Sequence, residues 1–185
     1  MNPLPTENEP SHRAQILRRI KTLTWIFIIG LVVSGATAIP LSSEINTMVN
    51  LLGFRKGDPS ELSGTREWIL KVQGALNNVN DRFPFLFYGT DWLAFGHFVI
   101  AIAFIGALRD PVRNRWLFTF GLIACGLVIP FAFVFGAIRG IPFWWRLIDC
   151  SFGIVGAIPL GFCAKWARTL EALQQRPESR PVRCL

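Results

Sequence analysis

Residues 116–138, WLFTFGLIACGLVIPFAFVFGAI, form an unbroken apolar stretch that contains no charged side chain. An α-helix rises 1.5 Å per residue, so a helix of this length can cross the hydrocarbon core of a bilayer, which is about 30 Å thick. Three further stretches have similar character, residues 22–43, 92–108 and 144–164, and the last contains Arg146 and Asp149. The sequence therefore predicts an all-α, polytopic membrane protein with four transmembrane helices.

Composition and tryptophan placement agree with this class. The chain of 185 residues is 51% hydrophobic and only 17% charged, which is too apolar for a soluble domain of this size. Six of the seven tryptophans lie within a few residues of a stretch boundary, where an indole ring sits at the level of the lipid headgroups. They are Trp25, Trp92, Trp116, Trp144, Trp145 and Trp166.

The distribution of Lys and Arg predicts the orientation in the membrane. Twelve of the nineteen lie before the first stretch, between the second and third, or after the fourth, and seven lie in the two other loops. Cytoplasmic loops carry the excess of Lys and Arg, so both termini are expected to face the cytoplasm of a bacterial inner membrane. Contact with anionic lipid headgroups accounts for the net charge of +7, and no nucleic-acid-binding motif accompanies the basic residues.

The two ends of the chain are predicted to lie outside the membrane domain. Residues 1–21 are expected to be a disordered basic lead, residues 22–170 the membrane domain, and residues 171–185 a disordered tail. One alternative stays open: residues 23–35 with the small residues Ala36 to Ala38 also fit a cleaved signal peptide, which would leave three spans. The uncharged run through Ser43 favours an uncleaved first span.

The loop of residues 44–91 is expected to form two amphipathic helices. Apolar side chains at helical spacing end at Gly53, a typical residue just past a helix C-terminus. Asp58 to Glu61 then resemble a helix N-terminus, and apolar side chains from Trp68 to Val79 mark one face of a second helix. These helices are expected to lie on the membrane or cover the end of the bundle; the alternative is that they bind a partner or form a lid over a site.

Several classes of site are unsupported by the sequence. The four cysteines contain no C-x-x-C pair, His97 is the only histidine in a predicted span, and nucleotide-binding and hydrolase motifs are absent. A quinone-linked thiol oxidoreductase, a bis-histidine haem and a zinc site are therefore disfavoured. We expect no cofactor and no metal.

One group of ionisable residues is the candidate site. His97 and Asp149 each follow a boundary tryptophan by about one helical turn, so they are expected at a similar depth, with Arg139 and Arg146 nearby. Ala94, His97 and Ala101 share one helix face that is expected to lie against the fourth span. One interpretation is an Arg146–Asp149 ion pair that fixes helix packing. The other is an outward-facing pocket for proton exchange, with Tyr88 and Asp91 as second-line residues.

Three segments, residues 89–95, 109–114 and 139–153, carry a resemblance to bacterial proteins. At these segments the chain resembles uncharacterised four-span inner-membrane proteins, over roughly residues 20 to 170. The resemblance implies no activity, cofactor or catalytic residue.

The function expected from the sequence is that of a non-catalytic accessory or assembly subunit of a larger membrane complex. Its expected partners are the lipid bilayer and either another membrane protein or a second copy of the chain. The alternative is a membrane-embedded enzyme or small transporter whose polar pocket uses His97, Arg146 and Asp149.

Overall fold

The structure is a computed structural model that describes residues 9–54 and 64–175, with side chains from residue 11 onward. In these residues the chain forms six α-helices and one short 3₁₀ helix, with no strand. They are α1 (Glu9–Thr37), α2 (Leu41–Leu51), α3 (Gly64–Arg82), the 3₁₀ helix Pro84–Phe87, α4 (Tyr88–Arg109), α5 (Arg115–Ile138) and α6 (Phe143–Gln175).

Four helical segments are long and apolar enough to cross a membrane, so the predicted all-α, polytopic fold is confirmed. They are Ser11–Thr37, Pro84–Arg109, Arg115–Ile138 and Phe143–Gln175, with 27, 26, 24 and 33 residues. At 1.5 Å per residue even the shortest is about 36 Å long, which exceeds the thickness of the hydrocarbon core.

The boundaries of the first and last spans differ from the prediction. Helix α1 ends at Thr37 rather than at residue 43, and α2 begins immediately after Pro40. Proline lacks an N–H and disfavours helical geometry in the residue before it, so an apolar run that contains one can break in two. The lead predicted to be disordered is helical from Glu9, and α6 continues past residue 164 to Gln175.

The chain divides into two compact units. Unit 1 comprises Met1–Ile29 and Ile102–Leu185, and unit 2 comprises Gly30–Ala101. Unit 1 therefore contains α5, α6 and parts of α1 and α4. Unit 2 contains α2, α3, the 3₁₀ helix and the remaining parts of α1 and α4.

Helices α5 and α6 of unit 1 form an antiparallel hairpin with a tight connection. The N–H of Gly140 donates to the carbonyl of Ala137 at 3.1 Å, and the N–H of Ile141 donates to the carbonyl of Gly136 at 2.8 Å. This pair of bonds is the Schellman motif, which places its C′ residue in the left-handed region. Gly140 occupies that position with φ +67°, a conformation that glycine adopts without steric cost.

Unit 1 has its best-packed core where parts of α1 and α4 meet the hairpin. Its largest fully buried side chains are Ile20, Thr24, Phe104, Phe118, Leu160 and Cys163. Phe104 contacts Phe27 and Phe118, with ring centroids 4.8 and 6.3 Å away. We call this region the four-helix half. We call residues 128–153, on the far side of the hairpin, the hairpin end.

Unit 2 contains the two amphipathic helices that were predicted for the long loop. Helix α2 buries Ile45 and Val49, and Gly53 follows its end with φ +65°, as the sequence indicated. Helix α3 buries Ile69 and Gln73 and packs against α2. The helix start predicted at residues 58–61 lies outside the described residues.

Candidate functional site

Arg146 is held by the connection between α5 and α6. Its Nε donates a hydrogen bond to the carbonyl of Ile141 at 2.8 Å. Its aliphatic stem lies on Gly136, where a Cβ would be only 2.9 Å from the Cγ and Cδ atoms of Arg146. The side chain therefore closes the hairpin, since its guanidinium satisfies a carbonyl that the helices leave free.

Asp149 lies one turn further along α6 and is half-buried. The expected ion pair with Arg146 is not formed; among residues 9–54 and 64–175 the salt bridge that the structure contains joins Arg115 to Glu171. Within the described part of unit 1, Asp149 has no hydrogen-bond partner either. The reason is geometric, because the Arg146 guanidinium lies toward the connection, away from the body of α6, where it finds the Ile141 carbonyl.

His97 belongs to unit 2, where it packs against α1. Its Nδ1 lies 2.8 Å from the carbonyl of Leu93, so Nδ1 carries the proton and donates. A Cβ built at Gly35 of α1 would lie 2.9 Å from the Cβ of His97 and 3.1 Å from the carbonyl oxygen of Ala94. Within unit 2, Ala94 and His97 of α4 thus pack on α1, and the approach of this face to the fourth span stays a prediction.

The remaining predicted residues are exposed. Arg139 follows the last turn of α5, and Asp91 lies in the first turn of α4. Tyr88 is 63% exposed and contacts Trp92 edge to face, with ring centroids 5.9 Å apart. Unit 1 thus places Arg139, Arg146 and Asp149 near the hairpin connection, while His97, Tyr88 and Asp91 belong to unit 2. Proton exchange between His97 and Asp149 stays a prediction.

The sequence did not predict an amide cluster that joins α2 to α3. The Oδ1 of Asn46 accepts hydrogen bonds from Gln73 at 2.7 Å and from Asn77 at 3.1 Å. The Nδ2 of Asn46 donates to the Oδ1 of Asn77 at 3.0 Å. The sequence feature that could have predicted this cluster is the spacing of Gln73 and Asn77, which are one turn apart on the face that also carries Ile69. Because Gln73 is only 5% exposed, the cluster fixes how the two helices pair.

Unit 2 also contains a shallow cavity of about 270 Å³ at the start of α2. Pro40, Ser42, Asn80 and Phe87 are among the residues that line it. The Ser42 hydroxyl oxygen is buried and makes no hydrogen bond in the described residues.

Within residues 9–54 and 64–175, no group of three or more His, Cys, Asp or Glu side chains is placed to hold a metal ion. The described cysteines, Cys125, Cys150 and Cys163, are free thiols. Thr24 Oγ1 and Cys163 Sγ lie 3.8 Å apart in the four-helix half, and the Thr24 hydroxyl also donates to the Ile20 carbonyl at 2.8 Å. Cys163 therefore fills space in the core of unit 1.

The described polar residues divide into those that hold the fold and those that are free to contact a ligand or partner. Arg146 and the amide cluster belong to the first group, because protein atoms accept their hydrogen bonds. Within unit 1, Asp149 belongs to the group that is free to contact a ligand or partner. Comparison with protein-family models, with curated proteins and with solved structures finds no match for this chain.

Proposed function

We propose that the protein is an integral-membrane accessory or assembly subunit of a larger membrane complex, in which it has no catalytic role. The observation that carries this proposal is the hairpin end of unit 1. Most of its large side chains are exposed, for example Phe131 at 60% and Phe152 at 68%. These apolar surfaces are available to lipid and to the helices of a partner.

Asp149 favours a partner helix over lipid as the neighbour of the hairpin end. A carboxylate in a membrane-spanning helix is costly unless another group neutralises it or donates hydrogen bonds to it. Within the described part of unit 1 no side chain does so. A partner helix with a Lys or Arg at the same depth would supply the missing charge, whereas lipid chains would not. Arg146, which the alternative interpretation assigns to a ligand pocket, is already engaged by Ile141.

The proposed location is a bacterial inner membrane, with both termini in the cytoplasm. The support is the division of twelve to seven among the Lys and Arg residues. A cysteine introduced at Gln174 or at Asn78, both exposed, tests it in a chain whose Cys184 is replaced by serine. The same chain without an introduced cysteine measures any labelling of Cys125, Cys150 and Cys163. A membrane-impermeant thiol reagent applied to cells with an intact inner membrane should label Asn78→Cys and spare Gln174→Cys. The reverse pattern would contradict the orientation.

The accessory role is tested by purification of the tagged full chain in mild detergent, followed by quantitative mass spectrometry. We expect at least one membrane protein in stoichiometric amount. Asp149→Asn should lower its yield because the isosteric amide cannot pair with a cation. Asp91→Asn is the matched control, because it removes an exposed carboxylate from another helix and should leave the yield unchanged.

The outcome that would contradict the accessory role is a bound non-protein molecule. If a quinone, pigment or similar compound copurifies with the parent chain, and both His97→Ala and Asp149→Asn lose it, the alternative of an enzyme or transporter is favoured. Equal partner yield from Asp149→Asn and Asp91→Asn would show that Asp149 does not contact the partner.

A further inference from the structure

One end of unit 1 concentrates positive charge. We call it the basic end, and its exposed cations are Arg13, Arg18, Arg19, Lys21, Arg109, Arg113, Arg115, Lys165 and Arg168. Two contacts bring their helices together: Arg19 lies over the Trp166 ring, with 5.9 Å from its Cζ atom to the ring centroid, and Arg115 pairs with Glu171. Residues of α1, α5 and α6 are therefore neighbours at this end.

The two acidic side chains that the structure describes at the basic end already have partners. Glu171 is engaged by Arg115. Asp110 Oδ1 accepts the backbone N–H groups of Val112 and Arg113 at 3.1 and 2.9 Å, which closes the turn between α4 and α5. In the described part of unit 1, eight of the nine cations thus have no carboxylate partner. This uncompensated charge attracts an anion.

Trp166 supplies a hydrogen-bond donor among the cations of the basic end. Its ring contacts Phe162 at 5.6 Å between centroids and lies beneath the Arg19 guanidinium. No described residue of unit 1 accepts a hydrogen bond from its indole N–H. Lys165 is the preceding residue and is exposed. The N–H of Trp166 and the charges of Arg19 and Lys165 together suit the oxygens of a phosphate.

The surface next to the basic end is apolar. Trp25 and Ile29 of α1 and Phe162 of α6 are each at least half exposed. A nucleic acid or an acidic peptide would contact the cations and leave these side chains uncovered. A phospholipid would cover both, with its phosphate on the cations and its acyl chains along the helices.

We propose that the basic end binds the headgroup of an anionic phospholipid, with Arg19, Lys165 and Trp166 as the contact residues. The bound lipid would bridge α1 and α6, because Arg19 and Trp166 belong to different helices. This inference concerns a different surface from the hairpin end, so it stands or falls independently of the accessory role.

Native mass spectrometry of the full chain in a neutral detergent tests the proposal. The chain is titrated with phosphatidylglycerol and with phosphatidylcholine of identical acyl chains, and inorganic phosphate is added as a competitor. We expect phosphatidylglycerol to bind at least about tenfold more tightly than phosphatidylcholine, with affinity that falls as salt is added. Free phosphate at the lipid concentration should not compete. Equal affinity for the two lipids, or efficient competition by phosphate, would overturn the proposal.

Variants then locate the site. Each cation near a membrane surface contributes about fivefold to the binding of anionic lipid, so Arg19→Gln with Lys165→Gln should weaken it by about 25-fold. Lys71→Gln with Arg82→Gln is the matched control, because it removes the same charge from unit 2, where Lys71 lies 6.0 Å from the Trp68 ring centroid. Equal losses in the two variants would overturn the assignment to the basic end. If the first variant does not fold, Trp166→Phe, which keeps every charge, should still lower the affinity for phosphatidylglycerol severalfold.

Discussion

The two ends of the α5–α6 hairpin have similar apolar composition but pack in different ways. In the four-helix half, Phe104, Phe118 and Leu160 are completely buried. At the hairpin end, most large side chains are exposed, and Gly136 and Gly153 let the two helices approach closely. Lipid solvates an apolar side chain as well as protein does, so hydrophobicity does not decide which side chains are buried. Close steric fit between particular residues decides it.

The glycine contacts show how close this fit is at the border between the hairpin end and the four-helix half. A Cβ at Gly153 would lie 2.5 Å from the carbonyl oxygen of Cys125, and one at Gly156 would lie 3.1 Å from its Sγ. These positions allow the backbones of α5 and α6 to approach, which is how small residues drive association in membranes. In the four-helix half large side chains interlock, as shown by the contacts of Phe104 with Phe27 and Phe118.

The largest expected effect tests the difference between the two ends directly. Phe104→Ala should lower the free energy of unfolding by about 3 kcal/mol, because it leaves a cavity in a packed core. Phe152→Ala, at a residue 68% exposed, should change it by less than about 0.5 kcal/mol. Unfolding by a denaturing detergent, followed by tryptophan fluorescence, measures both. Equal losses would mean that the hairpin end is packed as tightly as the four-helix half.

The second prediction concerns the glycine contact between α5 and α6. Gly153→Ala should destabilise the protein by about 1–3 kcal/mol, since the added methyl group meets backbone that must move away. Gly161→Ala on the same helix has no atom within 4 Å of the added Cβ, so it should be neutral or stabilising by up to about 1 kcal/mol. The same unfolding measurement applies. A Gly153→Ala variant as stable as Gly161→Ala would disprove the close approach of the helices.

The third prediction examines the pair that the sequence suggested. Arg146→Met should cost about 1.5–3 kcal/mol, because a hydrogen bond from a charged group to the Ile141 carbonyl is lost. Since Arg146 and Asp149 form no ion pair, the effect of Arg146→Met combined with Asp149→Leu should equal the sum of the single effects within about 0.5 kcal/mol. A coupling energy above about 1 kcal/mol in this double-mutant cycle would show that Arg146 and Asp149 do form an ion pair.

The smallest expected effect concerns the ion pair of the basic end. Arg115→Ala and Glu171→Ala should each cost about 0.2–1 kcal/mol, because half of the Arg115 side chain is exposed. The coupling between them should disappear at about 1 M salt, where the screening length is about 3 Å. Coupling that survives high salt would mean that the pair is better shielded from solvent than its exposure indicates.

Much of the membrane architecture could be predicted from local patterns. Uncharged stretches of sufficient length indicated the four spanning segments, and apolar spacing with Gly53 indicated the end of α2. These predictions succeeded because helix formation and membrane crossing depend on residues that are close in sequence. The break at Pro40 was missed because the apolar run continues through it and because hydropathy does not register a missing N–H.

The candidate site was harder to predict, because contacts among polar groups depend on residues outside the helix that carries them. Arg146 and Asp149 are correctly spaced for an ion pair on one helix, yet the Arg146 guanidinium donates its hydrogen bond to the Ile141 carbonyl. The Cβ of His97 lies against Gly35 of α1 in unit 2, and its orientation toward the fourth span stays a prediction. The Ile141 carbonyl lies in the turn between α5 and α6, and Gly35 lies on another helix, and helical periodicity contains no information about either partner.

The sequence by itself determined that this is an all-α, polytopic protein, because every backbone polar group in a membrane must be satisfied within its own helix. The sequence also determined the charge of the basic end. Only the tertiary structure decided which apolar side chains are buried, where glycines bring α5 and α6 together, and which atom Arg146 contacts. Burial and the glycine contacts depend on steric fit between segments far apart in the chain, and the contact of Arg146 depends on the geometry of the turn that presents the Ile141 carbonyl five residues away. Composition and spacing encode neither.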